Sequence, residues 1–470
     1  MPRIIASIVL ALVLVAPLNG AAARQDAEPP GSLELVGHSP LENRGMNAAL
    51  AVHGDYAYVG SRTDGKANNA NGAGVLVVDI SDPKSPEVVH EIGLPEQGSE
   101  GETSREMRIW PQQELLIVMN LGSNCSFLIH ACSPRTVDDN YRFYDISGKN
   151  AAEPKLVAEY MPSQDPHEFY LWADPRRPSK RALLIQSTPS GAAKMLVADI
   201  SGARQKKFPE IATWTSVAEA YVHSMALTPD GKTAYLAHNE GGFMVADTSE
   251  LAAGKSKPTI RTVTAPNDAA DWDGPGALHS AAPLFGKNKN YVLATDEAYG
   301  DLLAAIGSGG CPWGWTRLID VSNPAKPKVV SEYKLAENEE SFCTTDPPRP
   351  SSSYSAHNPT LTENLAIISW HAGGLQVVDI SNPLKPTQAA EFIPDPVPVI
   401  LQEDPALSAG QDKVVMWSFP IIQDGLIYVV DVRNGLYILK YKGPFEKEVE
   451  RVKFLEGNSN LGDAVRLGRL

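Results

Sequence analysis

The chain lacks most of the features by which a sequence announces a chemistry. Its 41 lysines and arginines fall short of 56 aspartates and glutamates, for a net charge of −15. A nucleic-acid partner or an anionic membrane surface is therefore excluded, because both require a basic face. It has only four cysteines in 470 residues, none at CxxC spacing, so neither a zinc-ribbon framework nor a dithiol redox motif is present. It has no HExxH pair, no glycine loop to cradle phosphate, no nucleotide fingerprint and no nucleophile elbow. After Val15 no apolar run approaches the roughly 20 residues needed to cross a bilayer.

What is present is punctuation and repetition. Glycine and proline stand at 37 each, as expected of a many-turned β-protein. At the start, Arg3 precedes an apolar run from Ile4 to Val15, and Ala21-Ala22-Ala23 supplies small residues for cleavage. This pattern predicts a signal peptide over residues 1–23 and a periplasmic, secreted or cell-surface address. In an oxidising compartment the cysteines pair; Cys125–Cys132 and Cys311–Cys343 are the favoured bridges of the three arrangements that four cysteines allow.

Six segments share β-branched residues followed by aspartate and serine: Val75–Ser81, Tyr141–Ser147, Met195–Ser201, Phe243–Ser249, Thr316–Ser322 and Leu375–Ser381. A seventh, Leu436–Tyr441, carries Lys440 where the others carry aspartate. Spacings between them range from 48 residues (Asp199 to Asp247) to 73 (Asp247 to Asp320). Such irregularity is foreign to a solenoid and ordinary for a propeller that varies its loops. A hairpin precedes each motif, as in Ala48–Val59, and an Asp/Asn-Pro turn with a short strand follows it, as in Pro327–Tyr333. Four strands per unit make one blade. The last unit lacks a fourth strand, which Leu33–His38 at the N-terminus is shaped to supply. The predicted fold is all-β: a seven-bladed β-propeller of four-stranded blades over residues 24–445, its last blade closed by the N-terminal strand, with 446–470 a C-terminal tail.

The motif, with its recurring Asp-Ile-Ser-Asn/Asp-Pro, resembles the LVIVD repeat. That resemblance implies propellers on exported or cell-surface bacterial proteins and leaves activity open. The aspartates themselves read as turn residues, their short side chains accepting backbone N–H bonds where the strand stops.

Aligning the blades on their hairpins places Asn47, Arg105, His167, His223, His279, His357 and Trp417 at the start of the innermost strands. Ser61, Asn120, Gln186, His238, Asp296, His371 and Asp431 fall at the end of the second strands, on the same face. Six of ten histidines thus gather at one mouth of the channel. Neutral imidazole is the commonest metal ligand, so a copper, zinc or iron ion held by some of His167, His223, His279 and His357 is one reading. His238, His371 and Glu240 are then further ligands or their acceptors, and Arg105, Asp296 and Trp417 line a ligand pocket. The plainer reading is a water-filled channel whose histidines bond one another. Function divides the same way. A binding or interaction protein is expected, with a metal-dependent enzyme (an oxidoreductase or hydrolase) as the alternative. The selenium-binding protein and methanethiol oxidase group is its fold-level analogy. A monomer is expected, its partner a protein or a small molecule.

Overall fold

The computed structural model describes residues 29–62, 74–93, 103–121, 138–189, 194–215, 222–238, 241–265, 268–270, 277–298, 310–343, 353–404, 407–408 and 412–469. The predicted signal peptide, Cys125, Cys132 and Glu240 lie outside them.

Seven antiparallel sheets are arranged as blades, and each motif segment forms the third strand of its own blade. Blade 1 shows the pattern: Asn47–His53, Tyr56–Ser61, Val75–Asp79 and Glu87–Ile92 pair in that order. The third strands are buried on both faces because a neighbouring blade covers each side, which is why VLVVD reads as an unbroken apolar run. Tyr58 and Val77 of blade 1 pack with Met107 and Val118 of blade 2. Phe143 of blade 2 packs with Phe169 and Leu184 of blade 3. The ring closes where Leu50, Val59 and Val78 meet Ile421, Val430 and Ile438 of blade 7.

The N-terminal strand Ser32–Ser39 completes blade 7, antiparallel to Gly435–Lys442, with Glu34 opposite Lys440. The blade without its motif aspartate therefore receives a strand from the far end of the chain, and no long edge is left open there. In the other blades the aspartates do turn work. Asp79 Oδ1 accepts from Ser81 N at 2.9 Å, and Asp320 accepts from Ser322 and Asp379 from Ser381, both at 2.8 Å.

The segment after residue 445 is built into the ring. After a helix at Glu446–Arg451, Phe454–Leu455 adds a fifth strand to blade 7 beside its innermost strand Ile421–Gln423. The chain then crosses the foot of the channel. Arg108 of blade 2 donates to Asn458 O at 3.3 Å, and Ser459 bridges Leu171 of blade 3. Asn460 accepts from Ala173 N and donates to Ala173 O, both at 2.8 Å, and donates to Pro229 O of blade 4 at 3.0 Å. A Cβ at Gly457 would stand 2.0 Å from Pro359 O, so only glycine passes there.

Candidate metal centre

The opposite end holds the histidines. His167, His223 and His357 each donate their backbone N–H to the second strand of the same blade, at Ser187, Ala237 and Ser369, so they occupy one structural position. His279 reaches it differently. The pairing of Ala277–Pro283 slips between Leu278 and Ser280, and His279 is the extra residue. Arg105 sits in the matching slip of blade 2, between Ser104 and Glu106. A bulge re-aims a side chain that regular alternation would send elsewhere.

The four imidazoles form a continuous buried file across four blades. Ring centroids are 4.3 Å apart from His167 to His223, 4.0 Å from His223 to His279 and 4.2 Å from His279 to His357. Two carboxylates enter the file. Glu168 Oε1 lies 3.8 Å from His223 Nδ1 and 3.7 Å from His279 Nε2. Glu297 Oε2 lies 3.6 Å from His279 Nε2, and its Oε1 is 3.4 Å from His357 Nε2 and 3.5 Å from His371 Nε2. Two groups converge closely enough for one ion each: Glu168, His223 and His279, and His279, Glu297 and His357.

Neighbouring hydrogen bonds fix which ring nitrogens carry protons. His357 Nδ1 lies 2.7 Å from the carbonyl of Trp417, which can only accept, so the proton is on Nδ1. His279 Nδ1 lies 2.7 Å from Ser280 Oγ, whose own hydrogen goes to Asn358 Oδ1 at 3.3 Å. Asn358 is itself oriented by donating to Trp417 O at 3.0 Å. His371 Nδ1 lies 3.1 Å from Ser353 Oγ, which donates to Ala298 O at 2.5 Å. In the neutral rings all three Nε2 atoms therefore present lone pairs, and all three are turned toward Glu297. His167 and His223 face each other by Nε2 at 2.9 Å, one donating to the other.

Burial sets the charges. It pushes His223 down to about 4 and His357 to about 3, and holds His167 and His279 well below the usual imidazole range. Burial works against ionisation of Glu297 as well, but His357 and His371 beside it outweigh that and keep its pKa low. Glu168 goes the other way, raised by burial and by the neighbouring Glu106. The low pKa of Glu297 rests on positive charge at the imidazoles facing it, so an ionised carboxylate here requires a proton or a cation among them.

Of the residues read from sequence, His167, His223, His279, His357 and His371 are brought together. Trp417 walls them, its ring 4.1 Å from His357 and stacked at 5.5 Å on His371, with Arg62 on it at 4.4 Å. The charge of Arg105 bears on His167, His223 and Glu168. Two residues are placed elsewhere. His238 turns between blades and meets Trp214 edge-on at 6.2 Å. Asp296 turns to the third strand and pairs with Arg317 at 2.8 Å, burial pushing its pKa up to about 7. Its neighbour Glu297 supplies the axial carboxylate, because the slip at His279 shifts the register by one. Glu168 was missed: it follows His167 directly and would alternate away, but the regular strand begins only at Phe169. The Cys311–Cys343 disulfide, Cα–Cα 5.5 Å, forms as expected beside a cluster of Trp313, Phe342 and Tyr354.

Fold and site together define the class, a seven-bladed β-propeller with a buried histidine–carboxylate cage at one end of its channel. The chain carries LVIVD repeats, matched at residues 44–92, 317–334 and 355–392. Comparison with curated proteins finds no match. Among solved structures it is similar to Sqt1 from Chaetomium thermophilum, solved bound to the N-terminus of the ribosomal protein L10. That match has 14% identity and a TM-score of 0.46, covering 86% of this chain and 89% of that one. It is also similar to Chaetomium thermophilum Raptor, at 10% identity and TM-score 0.50, covering 88% of this chain and 30% of that one. At such identities the likeness is one of fold. No helix among the described residues is long and apolar enough to cross a membrane.

Proposed function

We propose that this protein is an exported LVIVD-repeat propeller that acts as a binding protein and holds a transition-metal ion in its axial cage, with His279, His357 and Glu297 as ligands. One observation carries the reading: the ligand atoms of these three buried residues converge, with Glu297 3.6 Å from His279 Nε2 and 3.4 Å from His357 Nε2. Bonds of 2.0–2.1 Å in tetrahedral array put neighbouring donors about 3.4 Å apart, so this spacing suits an ion among the three. Both imidazoles are also anchored through their other nitrogens, the second layer of contacts that metal-binding histidines have. Imidazole and carboxylate donors without thiolate suit zinc, copper(II) or iron. Three protein donors leave the fourth position of a tetrahedral shell open to a bound ligand. Export rests on Arg3, the apolar run Ile4 to Val15 and the alanines at 21–23.

The test is elemental analysis of protein purified from its native compartment, beside a His279→Ala/His357→Ala variant. About one zinc, copper or iron per chain, lost in the variant, is expected. A folded wild-type protein that carries no metal and takes up none on dialysis against zinc or copper would defeat the reading.

A further inference from the structure

The ion proposed for the Glu297 group does not account for Glu168. This carboxylate is 4% exposed, and its Oε2 has no hydrogen-bond partner among the described residues. Its other oxygen is aimed at His223 Nδ1 and His279 Nε2. Of the two arginines whose charge bears on it, Arg108 and Arg105, the first is committed to Glu106 at 3.1 Å and to the carbonyl of Asn458. A buried acid with an unmatched oxygen beside two imidazoles is the chemistry of a cation ligand.

The two groups of donors meet at one atom. His279 Nε2 is 3.7 Å from Glu168 and 3.6 Å from Glu297. A neutral imidazole has a single lone pair, and His279 Nδ1 is engaged by Ser280 Oγ, so this ring cannot bridge two ions. Whichever carboxylate the ion sits beside, it takes His279 with it. We propose that the cage holds one metal ion per chain in either of two mutually exclusive seats, one at Glu297 with His279 and His357, the other at Glu168 with His223 and His279. The Glu297 seat is the tighter. Its carboxylate stands 3.4 and 3.6 Å from its two imidazoles, against 3.7 and 3.8 Å at Glu168. The Glu168 seat lies one blade further along the file of imidazoles, and the ion reaches it by exchanging Glu297 and His357 for Glu168 and His223 while keeping His279.

This inference rests on the metal reading and is tested with cobalt(II), whose visible absorption reports the donors around it, titrated into the full-length protein. Wild type is expected to bind one ion. Glu297→Gln is expected still to bind one, at least about tenfold more weakly and with a changed spectrum. Glu168→Gln keeps the wild-type spectrum, and the double variant loses binding by a further factor of about 100. Two cobalt ions in wild type would overturn the exclusivity. Loss of all binding in Glu297→Gln, or equal binding by Glu297→Gln and the double variant, would overturn the second seat. Should Glu297→Gln unfold, Glu297→Asp withdraws the carboxylate by one methylene and serves the same comparison. Failure of wild type to bind any cobalt is a different result, and it defeats the metal reading itself.

Discussion

The two ends of the channel are built from the same inner strands and could hardly differ more. At the foot, Asn460 of the crossing segment is matched to fixed backbone partners, bonding Ala173 on both sides and Pro229 besides. Glu456 Oε1 and Asn458 Nδ2 beside it are buried without a hydrogen-bond partner among the described residues. At the mouth, His279 and His357 turn lone pairs toward a carboxylate. A buried polar group stabilises when its partners are complementary and destabilises when they are not. At the foot Asn460 therefore contributes to folding, and the mouth is held in place by the rest of the ring. Such an arrangement is kept for what it binds.

The comparison breaks most readily on ligand binding. His279→Ala/His357→Ala removes two of three donors and should lower zinc or cobalt affinity by more than about 1,000-fold, losses of about 10- to 100-fold being typical for even an outer contact. Circular dichroism should stay that of the wild-type fold. Equal affinity by calorimetry would place the ion elsewhere.

The disulfide bears on the mouth alone, through the cluster of Trp313, Phe342, Tyr354 and Ala372 beside it. Closing 32 residues between Cys311 and Cys343 contributes about 3–4 kcal/mol on the chain-entropy account. Cys311→Ser/Cys343→Ser should lower the denaturant midpoint accordingly. Because Ser353, which fixes His371, lies close behind the cluster of Trp313, Phe342 and Tyr354, ion affinity should fall as well, by about tenfold. Asn460→Ala gives the opposite profile. It strips three buried hydrogen bonds at the foot and should cost about 2–3 kcal/mol in urea unfolding while leaving cobalt affinity within about twofold. A loss of affinity there would show that the two ends are coupled.

Much of this was legible in the sequence, and the limits have physical causes. Blade number, the closing N-terminal strand and the turn aspartates follow from a motif that repeats because the architecture does. The histidine file at 167, 223, 279 and 357 emerged because hairpin register carries over from blade to blade. Which of the adjacent acids Asp296 and Glu297 faces the axis did not, since a one-residue slip in pairing leaves no mark in composition. Nor did the departure of His238: period-two alternation says which side a residue takes, and not whether that side faces the axis or the next blade. The docking of 456–461 under the channel was also hidden, because its bonds are made by backbone and by one asparagine to strands nearly 300 residues away.

Acid should separate the ends in the metal-free protein. Imidazoles at the mouth are held neutral by burial, with pKa values below the ordinary 6.5, so the unfolded chain binds more protons than the folded one below that pH. Stability is then fully present above about pH 6.5 and is lost as pH falls toward 4, by about 1.4 kcal/mol per pH unit for each imidazole that stays neutral. Glu168, held well above the usual carboxylate range in the folded state, opposes this from its raised value down to the ordinary carboxylate range, where its contribution levels off. Saturating zinc should move the onset to lower pH, and urea midpoints from pH 8 to 5 measure both. An unchanged midpoint over that range would mean that the histidines take up protons without cost, and that the mouth is a wet channel.

The smallest effect belongs to the most repeated residue. Asp79, Asp199, Asp247, Asp320 and Asp379 each accept one backbone N–H at a strand end, far from the axis. Asp79→Ala should cost about 1 kcal/mol, the ordinary loss for a side chain that caps a turn, and should leave ion binding untouched. Asp145 and Asp247 also carry ion pairs, with Arg204 at 2.8 Å and Arg261 at 2.6 Å. The Asp247 pair is exposed, so the second contact adds little and Asp247→Ala should fall in the same range. Blade 7 already shows that the residue is dispensable, since Lys440 stands there and the N-terminal strand pairs beside it. Repetition along the chain thus marks what the fold needs at every blade. The residues placed once, at His279 and Glu297, are those whose loss the ring should survive and the ion should not.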